Sequence, residues 1–160
     1  SGVGPNRQWT ARGSGVPLLA GLIRPEEIEA GVIPHALVFA CCYPKQGRKV
    51  YPPAATTDGK SIDQYAIPEG ARLQLDPSIN VDTIPGLSRA GKIIAKCMQE
   101  YGIILVDCGD GLALYAENPL GRKTDPWTAL GFDGYNAKLI PPYFRVIDYA
   151  VFGAVEEPFW

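Results

Sequence analysis

The chain contains one histidine, His35, and any histidine-based acid–base chemistry within it would depend on that residue. His35 follows Pro34 at the start of an apolar run, where an imidazole needs a hydrogen-bond partner or a cleft. If His35 is catalytic, we expect it to act as the general base of lyase chemistry on uronic acids, with Tyr101 as the acid. The competing interpretation is a structural histidine that makes a fold-stabilising hydrogen bond.

Carboxylates offer a second route to chemistry. Asp107 and Asp110 lie at the end of a predicted hairpin, where a glycosidase acid/base pair or a set of calcium ligands could form. Aspartate and glycine also dominate tight turns whatever the function, so turn formation is the alternative. Because Asp107 flanks an apolar strand as His35 does, we predict that the two line one site, with Arg72 and Arg145 neutralising a sugar carboxylate.

Aromatic residues are concentrated in or beside the predicted loops, and aromatic faces flanked by polar side chains are how proteins hold sugar rings. Trp127 and Tyr135 are the predicted substrate-binding pair of this set, which also includes Tyr43, Tyr51, Tyr65, Tyr115 and Tyr143. The same residue types cap small β cores, so this signal alone is weak.

Four cysteines and one histidine match neither a zinc site nor a redox motif, and no nucleotide-binding loop or serine elbow is present. We therefore predict no metal and no cofactor. In an oxidising compartment, one or two disulfides are expected. A Cys97–Cys108 bridge is disfavoured by chain geometry, and a Cys41–Cys42 bridge would be strained. The remaining pairs join Cys41 or Cys42 to Cys97 or Cys108.

Composition limits the classes of protein that could position these residues. The chain has 160 residues, a mass of 17.3 kDa and a net charge of −2, which favours one domain and argues against nucleic-acid binding. Glycine and proline number 33 (18 + 15), which favours short strands joined by turns and excludes a helical bundle. No apolar run is long enough to span a membrane.

The elements are predicted as follows. Residues 1–15 are interpreted as a lead-in loop, and residues 16–155 as a single β-rich domain. The domain is predicted to begin with a short helix at about residues 24–31 and a strand at 35–43 that is buried on both faces. An irregular excursion over 44–70 follows, and then a strand at 71–76 in which apolar and polar residues alternate.

One amphipathic helix is predicted at about residues 88–101, with Ser88 as its N-cap and Gly102 as its stop. A β-hairpin is predicted next, formed by a strand at 103–106, a turn and a return strand at 112–116. Residues 143–149 are predicted to form a last strand. The predicted fold is mostly β, a sandwich-like or jelly-roll-like sheet with the helix packed on it.

Several phrases of the chain resemble those of an uncharacterised family of secreted bacterial β-rich proteins near polysaccharide metabolism. They are SGVPLLAGLIRPEE from Ser14, IPHALVF from Ile33, PAATTDG from Pro53, IPEGARLQLD from Ile67 and YGIILVD from Tyr101. The match extends over about residues 9 to 150. Members of the family are longer, with an amino-terminal half that carries a histidine motif without a counterpart here.

The resemblance implies that the chain is the carboxyl-terminal half of a larger β-rich fold. It also carries over His35 and Asp107 as positions that match the family's H-A-L and Y-G-x-x-x-x-D phrases. The adjacent Cys41 and Cys42, and Cys108, depart from the family pattern and suggest added cross-links.

From these observations we predict an extracellular, carbohydrate-active protein that binds, and can cleave, a polysaccharide. The first alternative is a structural subunit of an extracellular filament or coat, and the second is a binding module without chemistry. The expected partners are a polysaccharide and either the missing amino-terminal half or identical subunits, with no nucleic acid and no membrane span.

Overall fold

The computed structural model describes residues 12–47, 49–85, 87–120, 123, 126–130 and 152–155. Within these residues the protein forms one mixed sheet of five strands in the order β4–β1–β3–β2–β5. The strands are β1 Leu37–Cys41, β2 Arg72–Leu75, β3 Ile103–Cys108, β4 Ala113–Leu114 and β5 Phe152–Val155. The α-helices are α1 Pro25–Ala30, α2 Arg89–Glu100 and α3 Pro126–Ala129, and a 3-10 turn spans Val81–Thr83.

β1 and β3 form the parallel centre of the sheet. All five residues of β1 are buried, as the continuous apolar run predicted. One face of the pair packs in the main core, which includes Phe39 and Leu105. The other face carries Val38 and Val106, covered by Val16 from the first described segment.

Helix α2 confirms the prediction of a single long amphipathic helix. The Ser88 hydroxyl accepts a hydrogen bond from the Gly91 amide at 3.1 Å and caps the amino terminus. The apolar stripe enters the main core, with Ile94 and Met98 almost fully buried. Gly102 follows with a φ of 74°, the left-handed conformation in which glycine ends helices.

The two other local predictions in this part of the chain are also confirmed. Helix α1 begins at Pro25 and ends before Gly31, which has a φ of 85°. Strand β2 alternates as its sequence does, because Leu73 and Leu75 are buried while Arg72 and Gln74 are partly exposed.

The predicted β-hairpin at 103–116 is wrong. β3 does not pair with β4, because β1 lies between them and pairs with β3 in parallel and with β4 in antiparallel orientation. Within the described residues, the first strand, β1, therefore takes the place beside β3 that was predicted for β4.

The fold is dominated by its sheet, with α2 packed beside β2. A second sheet, which a sandwich or jelly roll requires, is not found among the described residues, so that part of the prediction stays a prediction. The strand predicted at 143–149 lies outside the described residues. None of the helices in the described ranges has the length and apolar character needed to cross a bilayer.

Candidate functional site

Three acidic side chains meet where the parallel pair of strands ends. Asp58, Glu69 and Asp107 each place one carboxylate oxygen within 4.8 Å of the others. We call this set the carboxylate cluster. Because β1 and β3 are parallel, their carboxyl ends share one edge of the sheet, and the cluster lies at that edge.

Backbone hydrogen bonds bring irregular segments to this edge. The Ser14 amide donates to Val106 O at 3.1 Å, which fixes the first described segment on β3. The Ala55 and Thr56 amides in turn donate to Ser14 O, at 2.9 and 3.2 Å, and hold the segment that carries Asp58. The long excursion between β1 and β2 is thus anchored to the sheet edge through Ser14.

Asp107 is held by three donors at the end of β3. Its Oδ1 accepts from the Gly13 amide at 3.2 Å and the Cys108 amide at 3.1 Å. Its Oδ2 accepts from the Tyr115 hydroxyl at 3.0 Å. Burial, followed by the charge of Asp107, raises the pKa of Tyr115 to about 12, so this hydroxyl keeps its proton and donates it.

Arg12 packs against the ring of Tyr115, the residue that binds Asp107. Its guanidinium carbon lies 4.8 Å from the centroid of the Tyr115 ring. Its Nη1 donates to Pro17 O at 2.8 Å and Ala20 O at 3.0 Å, and Nη2 donates to Leu18 O at 2.8 Å. A buried cation therefore fixes both the first described segment and the tyrosine that orients Asp107.

Glu69 is the buried member of the cluster. Its exposed fraction is 0%, and neither carboxylate oxygen has a hydrogen-bond partner among the described residues. Burial and the neighbouring Asp58 carboxyl raise the pKa of Glu69 to about 8, although the Thr57 hydroxyl acts in the opposite direction. At neutral pH Glu69 therefore holds a proton in the absence of another cation.

The position of Glu69 is fixed by its backbone. Glu69 O accepts from the Tyr51 amide at 2.9 Å, and the following Gly70 amide donates to Leu105 O at 2.7 Å. Gly70 has a φ of 84°, and a Cβ there would collide with Tyr51 O. Glycine at position 70 therefore allows the Tyr51 segment and β3 to lie close to the backbone of Glu69 and Gly70.

Asp58 is the exposed member of the cluster. Its carboxylate packs directly against Gly13, where a Cβ would collide with it. The absence of a side chain at Gly13 makes room for Asp58 beside Asp107, whose Oδ1 the Gly13 amide also binds. Asp58 therefore lies on the solvent side of the cluster, and Glu69 lies on its buried side.

The cluster can act chemically in two ways. Two close carboxyl groups share a proton, which provides a general acid and an ionised partner. Alternatively, three carboxylates share a hard cation. No salt bridge from a described basic residue reaches any of the three acids. Arg12 interacts electrostatically with Asp107 without a salt bridge, so the charge left for a proton or a bound ion to balance is that of Asp58 and Glu69.

The structure does not bring His35 and Asp107 into one site. Ala40 is the register partner of Asp107, and His35 lies five residues earlier in the chain, about 16 Å along the strand direction. The His35 Nε2 pairs with Glu27 Oε1 at 2.8 Å, and Nδ1 lies 3.0 Å from Ala36 O. These contacts fit the structural interpretation of His35 at the opposite edge of the sheet.

Tyr101 and Arg72 lie at the same edge as His35 and away from Asp107. Arg72 Nη2 donates to Tyr101 O, so the arginine ties the end of α2 to β2. A hydrogen bond to Glu100 raises the pKa of Tyr101, which keeps the phenol protonated. A site built from His35, Tyr101 and Arg72 would therefore exclude Asp107.

The predicted substrate-binding residues have separate locations. Trp127 is 4% exposed, packs in the main core and donates its Nε1 hydrogen to Glu117 O at 2.9 Å, so its ring is not presented to a ligand. Tyr135 and Arg145 lie outside the described residues. Three other loop tyrosines are exposed, namely Tyr43, Tyr51 and Tyr65.

All four cysteines lie in the described residues, and no disulfide joins them. Cys41 and Cys97 are buried, whereas Cys42 and Cys108 are exposed, and Cys108 directly follows Asp107 of the carboxylate cluster. Burial raises the pKa of Cys97 to about 12, and its thiol donates to His35 O at 3.1 Å.

Sequence reasoning missed Asp58, Glu69 and Arg12 as site residues. Asp58 and Glu69 lie in the stretch interpreted as an irregular excursion, and Arg12 lies in the stretch interpreted as a lead-in loop. The available signal was indirect: Asp58 and Glu69 both lie within the family-like phrases PAATTDG and IPEGARLQLD.

Comparison with known proteins gives no further assignment, since no family model, curated protein or solved structure matches the chain.

Proposed function

We propose that this chain belongs to an extracellular, carbohydrate-active protein that binds a polysaccharide at the edge formed by the carboxyl ends of β1 and β3. The observation that carries the proposal is the convergence of Asp58, Glu69 and Asp107 beside an exposed tyrosine. The resemblance to secreted proteins near polysaccharide metabolism supports it. A larger sandwich-like or jelly-roll-like fold, completed by an amino-terminal half, is part of the same proposal.

Tyr51 provides the ring for sugar stacking. It is 40% exposed, and its amide is bonded to Glu69 O, which places it next to the carboxylate cluster. The Lys49 ammonium lies 5.6 Å from the Tyr51 ring centroid. An aromatic face with a cation beside it suits a sugar that carries a carboxylate, and the carboxylates of the cluster can accept hydrogen bonds from its hydroxyls.

Cleavage is a second candidate, and the protonation of the cluster favours it. Glycoside hydrolysis uses one protonated and one ionised carboxyl group, and a separation of about 5–5.5 Å is typical of retaining enzymes. Buried Glu69 holds a proton at neutral pH because its pKa is raised to about 8, while Asp107 accepts three hydrogen bonds. In this reaction Glu69 would be the proton source, and Asp58, the exposed member of the cluster, would contact the sugar.

Binding is tested with a glycan array followed by titration of the strongest polysaccharide. Tyr51→Ala is expected to weaken binding about tenfold through the loss of ring stacking. His35→Ala changes the opposite edge of the sheet and is the matched control, with unchanged affinity expected. A loss confined to His35→Ala would move the site to that edge, and a wild type that binds no glycan would refute the proposal.

A further inference from the structure

The carboxylate cluster combines three acids with a buried side chain that lacks a partner. Both oxygens of Glu69 are inaccessible to solvent, and no described donor bonds to them. An ionised carboxylate buried in this way is strongly destabilising unless a counter-charge compensates it. Among the described residues no lysine or arginine forms a salt bridge with the three acids, and the charge of Arg12 acts on Asp107.

We propose that Asp58, Glu69 and Asp107 form a binding site for a calcium ion. Calcium binds oxygen ligands at 2.3–2.6 Å, so two of its ligands on opposite sides are about 4.6–5.2 Å apart. The three carboxylate oxygens lie within 4.8 Å of one another, a spacing no wider than that between opposite ligands of one such ion. The all-oxygen donor set suits a hard cation and provides no soft ligand for zinc or copper.

The surroundings of the cluster support such a site. Asp107 is oriented by two amides at Oδ1 and by the Tyr115 hydroxyl at Oδ2, and Oδ2 retains a lone pair for a cation. Gly13 lacks the side chain that would displace Asp58. Asp58 is exposed, which gives the ion a path from solvent and leaves room for water ligands.

The inference does not depend on glycan binding and is tested on the protein alone. Protein treated with a chelator is titrated with CaCl2 by isothermal titration calorimetry, with MgCl2 in a parallel titration. We expect one calcium ion per chain, with weaker binding of magnesium, because magnesium requires shorter bonds and a stricter geometry. The melting temperature should rise with calcium concentration, since the ion binds the folded state.

Two variants remove ligands, and one matched variant does not. Glu69→Gln and Asp58→Asn are each expected to weaken calcium binding at least about tenfold, because affinity follows the number of charged ligands. Asp110→Asn removes an exposed acid of the neighbouring turn that lies outside the cluster, and its affinity should equal that of the wild type. Asp58 is exposed, so its variant tests the site even if Glu69→Gln folds poorly.

Each result decides the question. Stoichiometric binding that both ligand variants weaken and Asp110→Asn preserves would support the site. No heat and no change in melting temperature up to about 10 mM calcium, above the range of weak extracellular sites, would overturn it. Wild-type affinity in either folded ligand variant would also overturn it, because the ion would then bind elsewhere.

Discussion

Glu69 is the residue whose location departs most from what its chemistry favours. Glutamate is rarely fully buried unless it is paired, yet this side chain is 0% exposed and has no hydrogen-bond partner among the described residues. Its backbone is tied to Tyr51 and, through Gly70, to β3. The fold therefore keeps the Glu69 carboxyl buried, and its charge depends on whether a proton or a cation is bound at the cluster.

The first prediction concerns stability against pH in metal-free buffer. In the folded protein Glu69 holds its proton up to about pH 8, whereas the Glu69 of an unfolded chain releases it near pH 4.5. Between these values the folded state binds more protons, so the free energy of unfolding falls as pH rises. For one proton the slope approaches about 1.4 kcal/mol per pH unit.

Glu69→Gln removes this titration and keeps a neutral side chain of similar shape. We expect urea unfolding at a series of pH values to give a flatter profile for the variant, which becomes more stable than the wild type above pH 8. Glu29→Gln changes an exposed glutamate of α1 and should follow the wild-type profile. Parallel profiles for the wild type and Glu69→Gln would show that Glu69 is already ionised in the folded protein at neutral pH.

At the scale of the elements, helices and strands whose own residues determine them were predicted correctly, whereas the pairing of distant strands was not. Helix α2 carries its own apolar stripe, its Ser88 cap and the Gly102 stop, so its bounds could be read from the chain. The pairing of strands is not local. β4 has only two residues, and nothing in its sequence indicates that β1, some seventy residues earlier, would displace β3 as its neighbour.

The N-cap of α2 gives a prediction at this scale. Ser88 is exposed, so its substitution removes the hydrogen bond to the Gly91 amide without a loss of packing. Ser88→Ala is expected to lower the free energy of unfolding by about 1 kcal/mol, as measured by urea denaturation. Ser88→Asp supplies another acceptor and should restore most of the loss. Equal destabilisation by both variants would mean that the hydroxyl does not act as a cap.

The candidate site was less predictable than the elements for a related physical reason. Asp58, Glu69 and Asp107 come from two irregular segments and a strand end, and their meeting depends on contacts between distant backbones, such as Ala55 to Ser14. Arg12 appeared to belong to a lead-in loop because glycines surround it, but its guanidinium is buried against Tyr115. Residue types could identify Asp107, whereas only the fold could identify its partners.

At the scale of the whole molecule, structural polar contacts and the candidate site lie at opposite ends of the parallel strands β1 and β3. The edge at their amino ends holds His35 and Tyr101 in contacts that join helices to strands. The opposite edge holds the carboxylate cluster and the exposed Tyr51. The net charge of −2 gives the molecule no general attraction for an acidic glycan, so recognition of such a glycan would depend on local groups such as Lys49 or on a bound cation.

The cysteines give the last prediction, which tests the proposed extracellular location. In native reduced protein, Cys42 and Cys108 are exposed and should react with a thiol reagent, whereas Cys41 and Cys97 are buried and should react only after unfolding. Cys108 Sγ lies 3.6 Å from Cys42 O, so these two residues are the expected pair when the protein matures in an oxidising compartment. Mass spectrometry of peptides from exported protein, digested without reductant, should then show a Cys42–Cys108 link that Cys108→Ser abolishes. Four reduced thiols in freshly exported protein would contradict the cross-link, and a link through Cys97 would contradict the arrangement of β1, β3 and α2.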